Sequence, residues 1–172
     1  MRPSRFRRSR EASGFTWIEL MAVVLVIAIL ALMAIPSMQD SALKRQVKDG
    51  IALADVAKKG VQTGWAVSGD MPANNAAAGV PPRDKIVGNM VKDVNVEGGA
   101  ITLTYGNNAS KALDGKRLTL RPAVVVGEPA VPIAWVCNNV AVPNGMEARG
   151  RNDTDIQPSW LPVECRGAEA KK

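Results

Sequence analysis

An uninterrupted apolar segment near the start of the chain restricts its fold more than any other feature. Residues 20–35 read LMAVVLVIAILALMAI and contain no charged or polar side chain, and Glu19 stands directly before them. A helix needs about 20 apolar residues to cross the hydrocarbon core of a bilayer, and residues 15–38 supply that length. A carboxylate in lipid costs roughly 2.5–3.5 kcal/mol on insertion scales, so it usually has a partner and a function. The sequence therefore predicts an apolar helix whose one acid has a specific role.

The basic charge of the chain is concentrated ahead of this segment. The formal net charge is +6, and five arginines with one glutamate place most of it in the first 14 residues. Basic residues beside an apolar run set membrane orientation, so the high pI is weak support for a nucleic-acid-binding protein. A secreted protein with an ordinary signal peptide is an alternative, but Glu19 interrupts the apolar region and no small-x-small cleavage site follows.

Several features around the apolar segment occur together. A short basic leader ends in Gly14, Phe15 follows it, Glu19 comes four residues later, and Pro36 lies near the end of the apolar run. This combination resembles the class III signal peptide and N-terminal helix of type IV prepilins of the type IVa kind. The resemblance implies that prepilin peptidase cleaves between Gly14 and Phe15 and that Phe15 is then N-methylated. It also implies that Glu19 neutralises the terminal amine of a neighbouring subunit during assembly.

The chemistry of these residues fits such roles. Gly14 has no side chain, so a protease can approach its backbone closely. Breaking a buried ion pair costs about 3–5 kcal/mol. An ion pair between Glu19 and an amine of a neighbouring helix can form at only one axial offset, so it would fix that offset. The alternative for Glu19 is a position near the interface, where its carboxylate reaches water. Pro36 lacks an N–H and its ring opposes the carbonyl of Leu32, which predicts a kink or local unwinding.

The apolar pattern changes after residue 37. Apolar positions then recur at three- and four-residue steps as far as Trp65, which is typical of an amphipathic helix. A glycine- and proline-rich loop and four short runs of strand-forming residues follow. The predicted fold class is α+β. It has one long N-terminal α-helix, with its hydrophobic half protruding and its amphipathic half packed on a four-stranded antiparallel β-sheet, as in the pilin fold.

The sequence divides into segments with distinct expected roles. They are the cleaved leader (1–14), the transmembrane or filament-core helix (15–38), its amphipathic half (39–67), the αβ-loop (68–84), the antiparallel sheet (85–136), the disulfide-bounded D-region loop (137–165) and the C-terminal tail (166–172).

Two cysteines, Cys137 and Cys165, stand near the C-terminus. Because they lack metal-site spacing and follow an export signal, they predict one disulfide in an oxidising compartment, with free or redox-active cysteines as the alternative. The resemblance implies that the loop between them contacts neighbouring subunits. Within it, Arg149, Arg151 and Trp160 form a candidate contact for DNA or a partner, with an ordinary exposed loop as the alternative.

The chain contains no histidine. This excludes Ser-His-Asp and Cys-His catalysis and histidine-bound zinc. The sequence predicts no catalytic residue, cofactor or metal site, and an enzyme based on a carboxylate pair remains only a formal alternative.

The predicted function is that of a major pilin, the structural subunit of a type IV pilus used for adhesion, twitching motility or DNA uptake. Its expected partners are further copies of itself, prepilin peptidase and the inner-membrane assembly machinery with its ATPases. The expected location is the bacterial inner membrane, with the C-terminal body in the periplasm, and the extracellular filament after assembly. A minor pilin, a type II secretion pseudopilin and a DNA-binding competence pilin are the alternatives.

Overall fold

A computed structural model describes Gly14 and residues 16–167, apart from the side chains of residues 33–37. The chain divides into two compact units, Met1–Met38 and Gln39–Lys172. Its helices and strands are, in chain order, α1 (Trp17–Leu53), α2 (Asp55–Ser68), β1 (Val91–Glu97), β2 (Ala100–Tyr105), β3 (Arg117–Val124), β4 (Ala134–Cys137) and β5 (Glu147–Ala148). Three short 3-10 helices cover Arg83–Lys85, Pro158–Trp160 and Val163–Cys165.

The N-terminal unit contains the first part of α1. Every described side chain from residue 16 to residue 32 is exposed, including Trp17 at 73% and Leu32 at 72%. The sequence predicts a membrane-crossing helix over residues 15–38, of which Phe15 and the side chains of residues 33–37 lie outside the described residues. Within the part of the chain that is described, no helix combines the length and the apolar character needed to cross a membrane.

The helix is interrupted once, at Ala54, whereas the sequence predicts one continuous helix to about residue 67. The Ala54 N–H donates to the Ile51 carbonyl at 3.0 Å, which is a three-residue step instead of the four-residue step of an α-helix. A buried tyrosine contacts the preceding turn: the Tyr105 hydroxyl donates to the Val47 carbonyl at 2.7 Å. A polar side chain that bonds a helix carbonyl is a common cause of such irregularities.

Gly50 has no side chain and therefore leaves room for the ring of Tyr105. A Cβ at Gly50 would lie 2.6 Å from the tyrosine ring, so only glycine allows this approach of sheet and helix. Burial, and secondarily the nearby Asp49, raise the pKa of the Tyr105 hydroxyl well above its ordinary value. The hydroxyl therefore stays protonated and can donate to the helix at any physiological pH.

The second helix, α2, ends at Ser68, directly before Gly69. Gly69 adopts a left-handed conformation, with φ of 71°, and its N–H donates to the Trp65 carbonyl. This arrangement satisfies a carbonyl that the helix end would otherwise leave without a donor. Val61 and Trp65 on α2 are buried, as the amphipathic pattern predicts.

The sheet is antiparallel throughout, with strand order β1-β2-β3-β4. This confirms the predicted α+β class and the four predicted strands. The fifth strand, β5, pairs with β3 and lies inside the disulfide-bounded loop, beyond the four strands that the sequence predicts. The main apolar cluster is formed by side chains of α1, α2 and β1–β4, including Val47, Val61, Leu103, Leu118 and Leu120.

The amide side chain of Asn75 connects the αβ-loop to the edge of the sheet through hydrogen bonds. Its Oδ1 accepts the Val96 N–H at 2.7 Å, and its Nδ2 donates to the Val94 carbonyl at 3.0 Å and to the Pro81 carbonyl at 2.9 Å. Asn75 thereby takes the place of a neighbouring strand at the β1 edge. Because this side chain is 7% exposed, water cannot replace these bonds.

We expect Asn75→Asp to lower the free energy of unfolding by about 2–3 kcal/mol. The carboxylate would have no N–H to offer and would face two buried carbonyl oxygens. Asn74→Asp is the matched control, because the exposed Asn74 uses only its Oδ1, which accepts the Ala77 N–H at 2.9 Å. Thermal unfolding of the full chain in detergent micelles, followed by near-ultraviolet circular dichroism, measures both. Equal losses in the two variants would contradict the assigned role of Asn75.

Candidate assembly site

The start of α1 positions Glu19. Thr16 precedes the helix, and its Oγ1 accepts the Glu19 N–H at 3.3 Å, while its carbonyl accepts the Leu20 N–H at 3.1 Å. Thr16 therefore occupies the N-cap, and Glu19 lies three residues further on, in the first helical turn. The carboxylate is thus held beside the positive end of the helix dipole. The threonine was not singled out from the sequence, although the spacing Thr-x-x-Glu is a capping signal.

The surface that follows Glu19 along α1 is apolar as far as Leu32. Exposed side chains continue along α1 from Leu20 to Leu32 and include valines, leucines, isoleucines and Met21. Soluble monomers rarely expose a continuous apolar surface of more than a few hundred Å². This segment therefore requires a covering surface, which lipid or the same segment of other copies can supply.

The structure describes the other predicted residues of this region only in part. Gly14 is exposed, and a Cβ built on it would meet no atom within 4 Å. Phe15 lies outside the described residues. Pro36 falls within the backbone range of α1, and its side chain is among those not described. The cleavage site, the methylation of Phe15 and the role of Pro36 remain predictions.

The C-terminal unit contains the disulfide between Cys137 and Cys165, whose Cα atoms are 5.0 Å apart. It joins the end of β4 to the last 3-10 helix. Asn138, which follows the first cysteine with φ of 52°, donates from Nδ2 to the Cys165 carbonyl at 3.2 Å. Both cysteines are buried, so the cross-link belongs to the packed body.

Part of the disulfide-bounded loop extends the sheet on both sides of β3. On the β2 side, the Arg149 N–H donates to the Pro122 carbonyl at 2.8 Å. On the β4 side, the Asp155 N–H donates to the Arg117 carbonyl at 3.1 Å. Residues 149–155, named the strap here, therefore cross β3 from one side to the other.

The strap covers the face of the sheet opposite the main apolar cluster. The Asp153 N–H donates to Thr119 Oγ1 at 3.1 Å, and the Thr119 N–H donates to Thr154 Oγ1 at 3.0 Å. Thr119 is consequently fully buried. The sequence did not predict this ordered crossing, because its hydrogen bonds join residues about 35 positions apart.

The three residues proposed from the sequence as a DNA or partner contact do not form one surface. Arg149 pairs with Glu147 at 3.1 Å, and Arg151 pairs with Asp153 at 2.7 Å. The hydrogen bond that Arg151 donates to the Asp153 carboxylate raises the pKa of Arg151 above its ordinary value.

Trp160 has a different environment. It packs, partly buried, against the apolar cluster, and its Nε1 donates to Asp40 Oδ1 at 3.0 Å. Among the described residues it lines neither of the two clefts that contain the arginines. The hydrogen bond between Trp160 and Asp40 joins the end of the disulfide-bounded loop to α1.

The chain is similar to known filament subunits over most of its length. The family model for pilin, described as a bacterial filament protein, matches residues 44–166. A type IV major pilin protein PilE1 of Neisseria gonorrhoeae is 37% identical over 162 residues, which cover 90% of this chain and 87% of the relative. A fimbrial protein of Neisseria meningitidis serogroup A is 34% identical, with coverage of 90% and 94%. The fimbrial protein EcpC of Eikenella corrodens is 32% identical, with coverage of 90% and 91%.

An exposed apolar helix joined in sequence to a disulfide-closed α+β body defines a subunit of the pilin class. The matches agree with this conclusion from sequence alone. The chain belongs to the pilin family.

Proposed function

We propose that this chain is the major structural subunit of a type IV pilus. The observation that carries the proposal is the apolar surface of α1, exposed from residue 16 to residue 32, with one carboxylate in its first turn. The relatives named as type IV major pilins support the same conclusion. The protein acts by assembly and has no catalytic role of its own.

Processing prepares the subunit for assembly. Prepilin peptidase cleaves between Gly14 and Phe15, and the new amine of Phe15 becomes methylated. Before assembly the apolar segment is held in the inner membrane, and the body lies in the periplasm. The assembly machinery and its ATPases then transfer the subunit into an extracellular filament.

Glu19 sets the position of each new subunit. Contacts between smooth apolar helices favour no particular axial offset, whereas a carboxylate and an amine in a low-dielectric interior attract strongly only at one offset. Thr16 holds the first turn of α1 in shape, so the carboxylate is presented from a defined helical position. In the filament Glu19 pairs with the amine of Phe15 on a neighbouring copy.

A DNA-uptake pilin is less well supported. A protein that binds DNA through phosphate contacts needs a surface with net positive charge, which neutralises the phosphates and releases the counterions of the DNA. Each of the two candidate arginines stands within 3.1 Å of a carboxylate, so the two pairs together carry no net charge. These pairs reduce the positive potential that the loop would present.

Removing the chain from cells tests the proposed function. We expect surface filaments to disappear, and an expressed copy to restore them. In sheared filaments this chain should be by far the most abundant protein. Filaments that persist without it, or in which it forms a small minority, would identify it as a minor pilin or a pseudopilin.

A further inference from the structure

A second site lies on the body, far along the sequence from Glu19. A cleft of about 410 Å³ opens where the end of α2, the β1–β2 turn, the segment after β3 and the strap meet. Four glycines line it, and all have positive φ: Gly69, Gly98, Gly127 and Gly150. Gly69 and Gly127 border open space, since a Cβ built on either would meet no atom within 4 Å.

One indole and two charged side chains line the cleft. Trp65 is 6% exposed, and its Nε1 is a buried donor with no hydrogen-bond partner among the described residues. Asp70 is exposed, and none of its described hydrogen bonds uses the carboxylate. Arg149 supplies a guanidinium group.

The guanidinium of Arg149 keeps donors for a ligand. Its described side-chain contact is the single pair with Glu147 at 3.1 Å, in which both side chains are substantially exposed. Such exposed pairs are weak, and a guanidinium carries five N–H donors. A second carboxylate can therefore bind it, in the two-bond geometry that arginine favours.

The mixture of charges indicates the class of ligand. A polyanion such as DNA would be repelled by Asp70, and a simple cation by Arg149. A ligand that carries both a carboxylate and an ammonium group satisfies both residues. Met71 and Val126, which also line the cleft, offer apolar surface for a side chain. We propose that this cleft binds an α-amino acid with an apolar side chain, with its carboxylate toward Arg149 and its ammonium group toward Asp70.

Binding of L-leucine to purified filaments tests the proposal. We expect saturable binding of radiolabelled L-leucine, competed by unlabelled L-leucine. Leucine ethyl ester lacks the carboxylate and 4-methylpentanoate lacks the ammonium group, so each should compete at least tenfold less well. Equal competition by 4-methylpentanoate would overturn the proposal. The absence of saturable binding at leucine concentrations up to about 10 mM, on the order of weak metabolite affinities, would also overturn it.

Matched variants locate the site. Arg149→Gln and Asp70→Asn should each weaken leucine binding at least tenfold. Arg151→Gln is the control, because Arg151 lines the adjoining cleft with Glu97 and does not line this one. Filament yield is measured for every variant, so failed assembly is distinguished from failed binding. Equal weakening by Arg151→Gln, or no weakening by Arg149→Gln in intact filaments, would refute the assignment.

Discussion

Replacing Glu19 by glutamine is expected to reduce surface filaments more than tenfold, while the precursor is still cleaved after Gly14. The variant keeps the size and helix propensity of the side chain but removes its charge. The amine of Phe15 would then lie in the apolar filament core without a counter-charge, which costs about 3–5 kcal/mol. Electron microscopy of cells and quantification of sheared filaments measure the loss.

The size of the effect separates the proposed pairing of Glu19 with a neighbouring amine from the place that Glu19 has in the first turn of α1. Its place in the first turn of α1 also stabilises the helix through the dipole, but that interaction is worth only about 0.3–1 kcal/mol. Loss of the dipole interaction alone would lower assembly by less than about tenfold, since 1.4 kcal/mol corresponds to tenfold. Filament numbers within a few-fold of the wild type would therefore contradict the pairing of Glu19 with a neighbouring amine.

Asp55→Asn is the matched control for charge removal on a helix. Asp55 is also an acid in the first turn of a helix, α2, and its carboxylate pairs with Lys58 at 2.9 Å on the exposed surface. An exposed pair of this kind contributes little. We expect this variant to form filaments in wild-type numbers.

Removing the disulfide is expected to produce the largest loss of stability in the body. The double variant Cys137→Ser/Cys165→Ser should lower the free energy of unfolding by about 3–4 kcal/mol, because the cross-link restricts a loop of about 28 residues in the unfolded chain. The strap lies within that loop, so its hydrogen bonds to β3 should weaken with it. Thermal unfolding of the full chain in detergent micelles measures the change.

Chemical reduction provides the control for this variant. Wild-type protein treated with dithiothreitol should unfold at the same temperature as the double-serine variant, and the variant itself should not respond to dithiothreitol. If reduction has no effect on the wild type, the disulfide does not stabilise the body. If the variant is much less stable than reduced wild type, the serines disturb packing, and the difference measures that separate effect.

The sequence predicted the elements whose signals are local. The apolar run, the amphipathic spacing that buries Val61 and Trp65, and the alternating strands all follow from neighbouring residues. The α+β class is of this kind, and so is the end of the amphipathic helix, which is predicted near residue 67 and lies at Ser68. The capping role of Thr16 has an equally local signal, the spacing Thr-x-x-Glu, but was not predicted.

Features that depend on distant residues were not predictable in the same way. The helix is interrupted at Ala54, next to the turn that Tyr105 contacts. Tyr105 lies on β2, 58 positions after its partner Val47 in the sequence. The polar loop around Arg149 has weak strand patterning, yet it gains order from free hydrogen-bonding groups on β3. Trp160 looked like an exposed contact residue because its partner, Asp40, is 120 positions away in the sequence.

The mass of the subunit in sheared filaments tests the central claim most directly. We expect the bulk of the filament protein to be residues 15–172, with one methyl group on the Phe15 amine and the Cys137–Cys165 disulfide intact. The new amine is then present in every copy to pair with Glu19. A filament subunit that retains residues 1–14, or sheared filaments in which this chain is absent, would contradict it.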